Sequence, residues 1–283
     1  MYKYPEKIIV GVAPVAHKGT QIPRESLNPL SPEEVAADVI DCAALGAAMV
    51  HLHVRNPQGD QVQDLRWYSR TIDLIRKKSD IVIQGSTGGV SDLSLEDRCV
   101  SVTEPRTEIA SLNLGSVNFG EGVYINTLPD IRFWLEKMRK HYVAPELEVF
   151  DFGMLDTVER LVEEGLLNPP LSYNFCLGFP GALPANPRYI WDLLSHLPAD
   201  AHWGLLHEGM NDFRLIAAAL GLGARTIRVG FEDGRFYLPG KPAPSNKVLV
   251  QKVMELVKSL GFEAASPGDA RKILGIGPDP KNS

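Results

Sequence analysis

Eight short runs rich in β-branched and aliphatic residues recur along the chain, separated by stretches whose apolar positions follow a helical period. The predicted strands are 7–13, 48–54, 81–85, 108–113, 146–150, 171–176, 202–206 and 226–231. Several, among them Lys7-Ile-Ile-Val-Gly-Val-Ala13 and Asp80-Ile-Val-Ile-Gln84, are apolar on both faces, as strands of a parallel sheet covered on both sides are. The first predicted helix opens at Pro32-Glu33-Glu34, with Ser31 as its cap. Others are predicted over 66–78, 91–103, 128–141, 155–164, 189–196, 212–220 and 245–260.

Strict strand–helix alternation implies parallel strands joined by crossover helices. Eight such units in 283 residues match an α/β fold of the closed (β/α)8 kind, the TIM barrel. A doubly wound open sheet usually has fewer strands and a glycine-rich first turn, whereas here the first strand runs into Pro14-Val-Ala-His-Lys-Gly-Thr20. Without a repeat of fixed period or a low-complexity linker, residues 1–283 read as one barrel domain. A short helix at 267–274 and a polar tail close it.

Apolar residues make up 44% of the chain and charged residues 23%, enough for a full core and unlike a disordered chain. The net charge of −6 and the lack of a long basic block argue against nucleic acid as a partner. Arg76-Lys77-Lys78 and the basic residues of 137–140 read as solvated helix faces. Cys42, Cys99 and Cys176 are odd in number and form no C-x-x-C pair, which predicts free thiols in a reducing compartment. Cys42 and Cys176 sit in apolar segments and read as packing residues. The polar N-terminus does not read as a signal peptide, and no apolar stretch is long enough to cross a bilayer. A soluble cytoplasmic protein without membrane contact is the expectation.

The chemistry of such barrels sits at the carboxyl ends of the strands, and the unusual polar residues of this chain collect there. The second strand ends in His51-Leu-His-Val-Arg55. A strand repeats every two residues, so His51 and His53 face one side and Leu52 the other. Two imidazoles side by side make half a metal site and need a carboxylate to complete it; zinc, iron(II) and manganese all suit such a set. The third strand ends in Gly85-Ser86-Thr87-Gly88-Gly89, whose backbone N–H groups and two hydroxyls could receive a carboxylate or phosphate. The fourth ends in Ser111-Leu112-Asn113, the fifth carries Glu146 and Glu148, and the seventh ends in His207-Glu208. Arg228 lies within the eighth strand and, if buried, requires a carboxylate partner, with Glu232 and Asp233 within reach in sequence. One of these acids can bind metal and the other can serve as a base. His141 and His196 read as surface residues and His202 as structural, while His17 and His207 could reach the pocket.

Taken together, His51-Leu-His-Val-Arg55, Ser86-Thr-Gly-Gly89, Ser111-Leu-Asn113, Gly115, Asn118-Phe-Gly120, Pro145-Glu-Leu-Glu-Val149 and Gly230-Phe-Glu-Asp233 resemble the β-keto acid cleavage enzymes. The motifs run in order over nearly the whole chain, and the Ser31-Pro-Glu-Glu34 helix start fits as well. The resemblance implies a zinc-dependent (β/α)8 barrel, working as a homotetramer, that condenses a β-keto acid with acetyl-CoA to give acetoacetate and a new acyl-CoA. It implies His51, His53 and Glu232 as metal ligands and Asp233, held by Arg228, as the general base. Ser86 would stand at the reacting centre. Ser86, Thr87, Gly88, Ser111, Asn113 and Lys18 would surround the substrate. Ser111 stands where the family's aminohexanoate enzyme has a threonine, and the hydroxyl is kept.

Two departures bear on the substrate. Where that enzyme has a glutamate for the substrate's ammonium, this chain has Lys18 or a close neighbour, which predicts an anionic or neutral polar distal group. After the seventh strand, His207-Glu208-Gly209 replaces an expected glycine-rich stretch. Two other readings compete: a zinc hydrolase of the amidohydrolase type, and a catalytically silent barrel. The hydrolase type usually carries its H-x-H pair on the first strand together with further histidine ligands. A requirement for acetyl-CoA separates all three.

Overall fold

Residues 4–88 and 93–277 are described by a computed structural model. Gly89, the start of the predicted 91–103 helix and the tail beyond residue 277 lie outside the described residues. The eight apolar runs form β1 (Lys7–Val12), β2 (Met49–Leu52), β3 (Val82–Gly85), β4 (Ile109–Asn113), β5 (Ala144–Val149), β6 (Ser172–Leu177), β7 (His202–His207) and β8 (Thr226–Val229). Each strand pairs in parallel with its sequence neighbour, and β8 pairs with β1, so the sheet closes on itself and leaves no edge. The predicted (β/α)8 barrel is therefore present. The strands are buried almost throughout, since side chains fill the barrel inside and helices cover it outside.

The helices between strands begin where the sequence supplies caps. Helix α1 (Pro32–Ala44) carries a capping box, in which the Ser31 hydroxyl accepts from the Glu34 N–H and the Glu34 carboxylate accepts from the Ser31 N–H. The next two are α2 (Arg66–Arg76) and the single turn α3 (Leu95–Arg98), the latter followed by a 3-10 turn at Val100–Thr103. Helix α4 (Leu128–His141) has the same kind of box on Thr127 and Asp130. They are followed by α5 (Gly153–Glu163), α6 (Pro187–Leu194), α7 (Arg214–Gly221) and α8 (Asn246–Ser259). A last helix, α9 (Pro267–Leu274), follows the pairing of Glu263–Ala264 beside β1. Ala265 and Ala270, with Ile273 and Leu274, pack on Ile9, Ala48, Met49, Val82 and Ile109 and seal the amino-terminal end of the barrel. Arg271 pairs with Asp80 and Glu108 there, and Lys7 with Asp269.

The sequence reading missed two hairpins, Val117–Phe119 with Gly122–Tyr124 and Phe236–Leu238 with Lys241–Pro242. Both stand on loops at the carboxyl end, and the first roofs the cavity described below. All three cysteines are free, and Cys42 and Cys176 are buried as expected; Cys99 is buried as well. No helix among the described residues is long and apolar enough to cross a membrane.

Candidate active site

A cavity of about 700 Å3 opens at the carboxyl ends of the strands. His51, His53, Ser86, Ser111, Glu148, Arg228 and Glu232 line its floor, and Phe119, Tyr124, Phe150 and Phe179 form one wall. His17, Lys18, Arg55, Asp60 and Gln61, from the loops after β1 and β2, form another. Alternation along β2 and its extension brings His51 and His53 to the same side, with ring centroids 5.1 Å apart.

Glu232 completes a triangle with them. The His51 and His53 Nε2 atoms are 3.3 Å apart, and Glu232 Oε1 is 3.5 and 3.4 Å from them. A tetrahedral ion with bonds of about 2.0–2.1 Å needs neighbouring ligand atoms about 3.3–3.4 Å apart, so these three donors fit such an ion on one face and leave a fourth position open. They are the one group of this kind among the described residues. Burial depresses the pKa of His51 to about 3 and lowers that of His53, so both rings stay neutral and can offer a lone pair. Gln84 lies beside His51 in the β2–β3 register, and its Oε1 accepts from His51 Nδ1 at 2.8 Å. That bond fixes the tautomer and turns Nε2 toward the triangle.

Behind the triangle, Arg228 holds Asp233 with two hydrogen bonds, Nε to Oδ2 at 2.9 Å and Nη2 to Oδ1 at 2.6 Å. Its Nη2 also reaches Glu232 Oε1 at 3.3 Å, and its Nη1 lies 3.7 Å from Glu148 Oε1. Burial pushes the Asp233 carboxyl up to about 6 against the pull of Arg228, and burial pushes Glu148 up to about 8.

The placement of Glu232 and Asp233 depends on Gly230, the first residue of the Gly230-Phe-Glu-Asp233 motif, and on Asn246, which the sequence reading did not single out. Gly230 turns the chain at the end of β8 with φ +144°, and a Cβ there would lie 2.1 Å from the Ala13 carbonyl oxygen. Its carbonyl accepts from the N–H groups of Asp233 and Gly234. Asn246, wholly buried at the start of α8, accepts from the Phe231 N–H at 2.7 Å and donates to the Pro14 carbonyl at 2.9 Å and to Asp38 at 2.7 Å. Gln84, a polar residue within an apolar strand, and Asn246, at a predicted helix start, were the available signals.

Ser86, Gly88, Ser111 and Lys18 line the cavity, whereas Thr87 and Asn113 do not. The Thr87 hydroxyl donates to the Ser111 carbonyl at 2.6 Å and ties the ends of β3 and β4 together, whereas Asn113 Oδ1 accepts from the Gly115 N–H and only turns its own loop. The Ser86 hydroxyl accepts from the Gly88 N–H at 3.0 Å. Lys18 sits at the rim, with 69% of its side chain exposed, and pairs with Asp60. His17 joins the cavity wall beside His53, and His207 stays outside it. His202 is buried against Thr226, and His141 and His196 are exposed.

Fold and site together define a (β/α)8 barrel with a preformed two-histidine, one-carboxylate group and a buried carboxylate–guanidinium pair at its carboxyl end. The family model described as beta-keto acid cleavage enzyme matches residues 7–276. The chain belongs to this family. It is 36% identical to the 3-keto-5-aminohexanoate cleavage enzyme of Acetoanaerobium sticklandii, over 96% of this chain and 99% of that protein. It is 30% identical to the 3-dehydrocarnitine:acetyl-CoA trimethylamine transferase of Rhizobium meliloti, over 92% of this chain and 94% of that one. The solved apo structure of ObcA shares the fold, with a TM-score of 0.74 at 21% identity, covering 89% of this chain and 66% of ObcA.

Proposed function

We propose that this chain, working as one catalytic domain, is a zinc-dependent enzyme that condenses a β-keto acid with acetyl-CoA and yields acetoacetate and a new acyl-CoA. The observation that carries the reading is the junction of the His51–His53–Glu232 triangle with the Arg228–Asp233 pair, in a chain whose relatives are named for such reactions. Zinc held by His51, His53 and Glu232 would supply Lewis acidity toward the keto and carboxylate oxygens of the substrate.

Asp233 removes a proton from the carbon between the two carbonyls, and Arg228 orients it for that task. The resulting carbanion attacks the acetyl carbonyl and the CoA thiolate departs. That thiolate attacks the original keto carbon, the carbon–carbon bond breaks, and Asp233 returns its proton to the departing acetoacetate carbon. Ser86, the Gly88 backbone and Ser111 stand where they can hold the carboxylate and a developing oxyanion, with Thr87 bracing the Ser111 carbonyl and Asn113 turning the loop beyond it. Three buried free thiols agree with a reducing, cytoplasmic setting. A homotetramer rests on the family resemblance and is checked by sedimentation.

The hydrolase reading wants further metal ligands, and among the described residues there is a single such group, on the second strand rather than the first. The test is acetoacetate formation from a panel of β-keto acids with acetyl-CoA, using enzyme stripped of metal and enzyme reloaded with zinc. Product that appears only with acetyl-CoA and only after reloading supports the reading. Equal turnover without acetyl-CoA, or no dependence on metal, refutes it.

A further inference from the structure

Gly88 is gripped from two sides by residues outside the segments that carry the family resemblance. The Gln61 side-chain amide, on the cavity wall, donates from Nε2 to the Gly88 carbonyl at 2.8 Å. A carbonyl opposite fixes which end of the amide faces Gly88, since only the NH2 end can donate. Gln61 is tied in turn to the continuation of β2, through its antiparallel bridge with Arg55 and the bond from the Val62 N–H to the Val54 carbonyl at 2.9 Å. From the other side Tyr124, at the end of the roof hairpin, lays its hydroxyl over Gly88, where a Cβ would lie 2.5 Å from that oxygen. The φ of Gly88 is not left-handed, so the Tyr124 contact rather than the backbone demands a glycine. Phe119 and Phe150 meet the Tyr124 ring at centroid distances of 5.9 and 6.3 Å. The Arg98 guanidinium stands 5.3 Å from the same ring and holds the next two residues, bonding the Ile125 carbonyl at 2.8 Å and Asn126 Oδ1 at 2.6 Å.

The gripped residue in turn aims Ser86. The Gly88 N–H occupies one lone pair of the Ser86 hydroxyl at 3.0 Å, and the Ser86 carbonyl accepts from the Ser101 hydroxyl at 2.7 Å. Among the described residues nothing accepts the Ser86 hydroxyl proton, which is left for a ligand in the cavity. Resting on the function proposed above, we propose that Gln61 and Tyr124 are positioning residues for this hydroxyl. They hold Gly88 where its N–H directs the Ser86 proton toward the substrate carboxylate and the developing oxyanion. Each acts through Gly88. Because Gln61 hangs from the segment that carries His53, its contact also keeps the Ser86 turn in step with that histidine.

Two sets of variants test the assignment. Q61L removes the donor at similar size, and Q61E sets a carboxylate against the Gly88 carbonyl. With zinc-loaded enzyme, kcat for acetoacetate formation is expected to fall about 10- to 30-fold in Q61L and further in Q61E, while the KM for acetyl-CoA changes less than about 3-fold. The melting temperature of Q61L is expected to stay within about 3 °C of the wild type, while hydrogen exchange in the peptide containing Gly88, read by mass spectrometry, quickens about 10-fold. The second set is a compensation. Gly88→Ala collides with the Tyr124 hydroxyl, and Tyr124→Phe takes that oxygen away. Tyr124→Phe alone is expected to lose about 3-fold in kcat, yet the double variant is expected to turn over about 10-fold faster than Gly88→Ala. A Q61L loss confined to the KM of acetyl-CoA, wild-type exchange at Gly88 in Q61L, or a Gly88→Ala defect that Tyr124→Phe leaves as deep overturns the assignment. If no β-keto acid yields acetoacetate, the proposed reaction fails, while exchange at Gly88 and the melting temperatures of the Gly88→Ala variants still decide whether the two residues hold the turn. Faster exchange in Q61L and a melting temperature restored by Tyr124→Phe then support them, and unchanged values refute them.

Discussion

The Arg228 guanidinium and the Asp233 carboxylate face each other fork to fork, five residues apart in the chain and both buried. Neither could be buried alone without a large desolvation penalty, so each fixes the position of the other. Asp233→Asn keeps the size and removes the carboxylate proposed as the base. Turnover is expected to fall by about 1,000-fold or more while the metal content stays near that of the wild type. A variant that lost its metal would instead show Asp233 acting through Glu232.

The metal triangle predicts a complementary pattern. His51→Ala, His53→Ala and Glu232→Gln should each lower bound zinc in elemental analysis and abolish turnover. Gln84→Ala, which frees the far side of His51, is expected to weaken zinc affinity about 10- to 100-fold while the fold stays intact. For the wild type stripped by a chelator, added zinc should raise the melting temperature, since binding to the folded state alone adds about 4 kcal/mol at 1,000 times Kd. An unchanged melting temperature at saturating zinc would contradict the site.

Gly230→Ala tests the turn that delivers the two acids. With φ +144° and the Ala13 carbonyl oxygen 2.1 Å from a Cβ, the backbone must move. A loss of about 2 kcal/mol or more in denaturant unfolding is expected, together with weaker zinc binding, because Glu232 follows two residues later. Wild-type stability and zinc affinity in this variant would show that the turn tolerates a side chain.

His202 supplies a pH test remote from the site. Burial lowers its pKa to about 3 from the usual 6.5, and its Nε2 lies 3.0 Å from the Thr226 hydroxyl. Between those values the unfolded chain binds a proton that the folded chain refuses. Stability from this group is therefore full above about pH 6.5 and lost as the pH falls toward 3. His202→Gln should flatten the dependence of unfolding free energy on pH between 4 and 6 by up to one proton, about 1.4 kcal/mol per pH unit. Parallel slopes for the two proteins would remove His202 from the acid response.

The barrel was legible in the sequence because its strands announce themselves as apolar runs bounded by turn residues, and the observed ends differ from the predicted ones by only a few residues. Short hairpins such as Val117–Phe119 with Gly122–Tyr124 carry too few residues for any period to register. The pairing of His51 with His53 followed from strand alternation alone. Their meeting with Glu232 did not, since no local rule links positions 179 residues apart, and only the resemblance suggested it. Thr87 shows another limit. A hydroxyl in a strand-end turn can face either the cavity or a neighbouring carbonyl, and the chain's three-dimensional closure decides.

The pairing of β8 with β1 has a consequence for how the centre comes into being. The imidazoles belong to the second strand and the acids to the last, so a partly synthesised chain owns two histidines and nothing to complete them. An ion held by all three ligands would have to wait until the final strand docks, so under the proposed function cation uptake would report ring closure during folding.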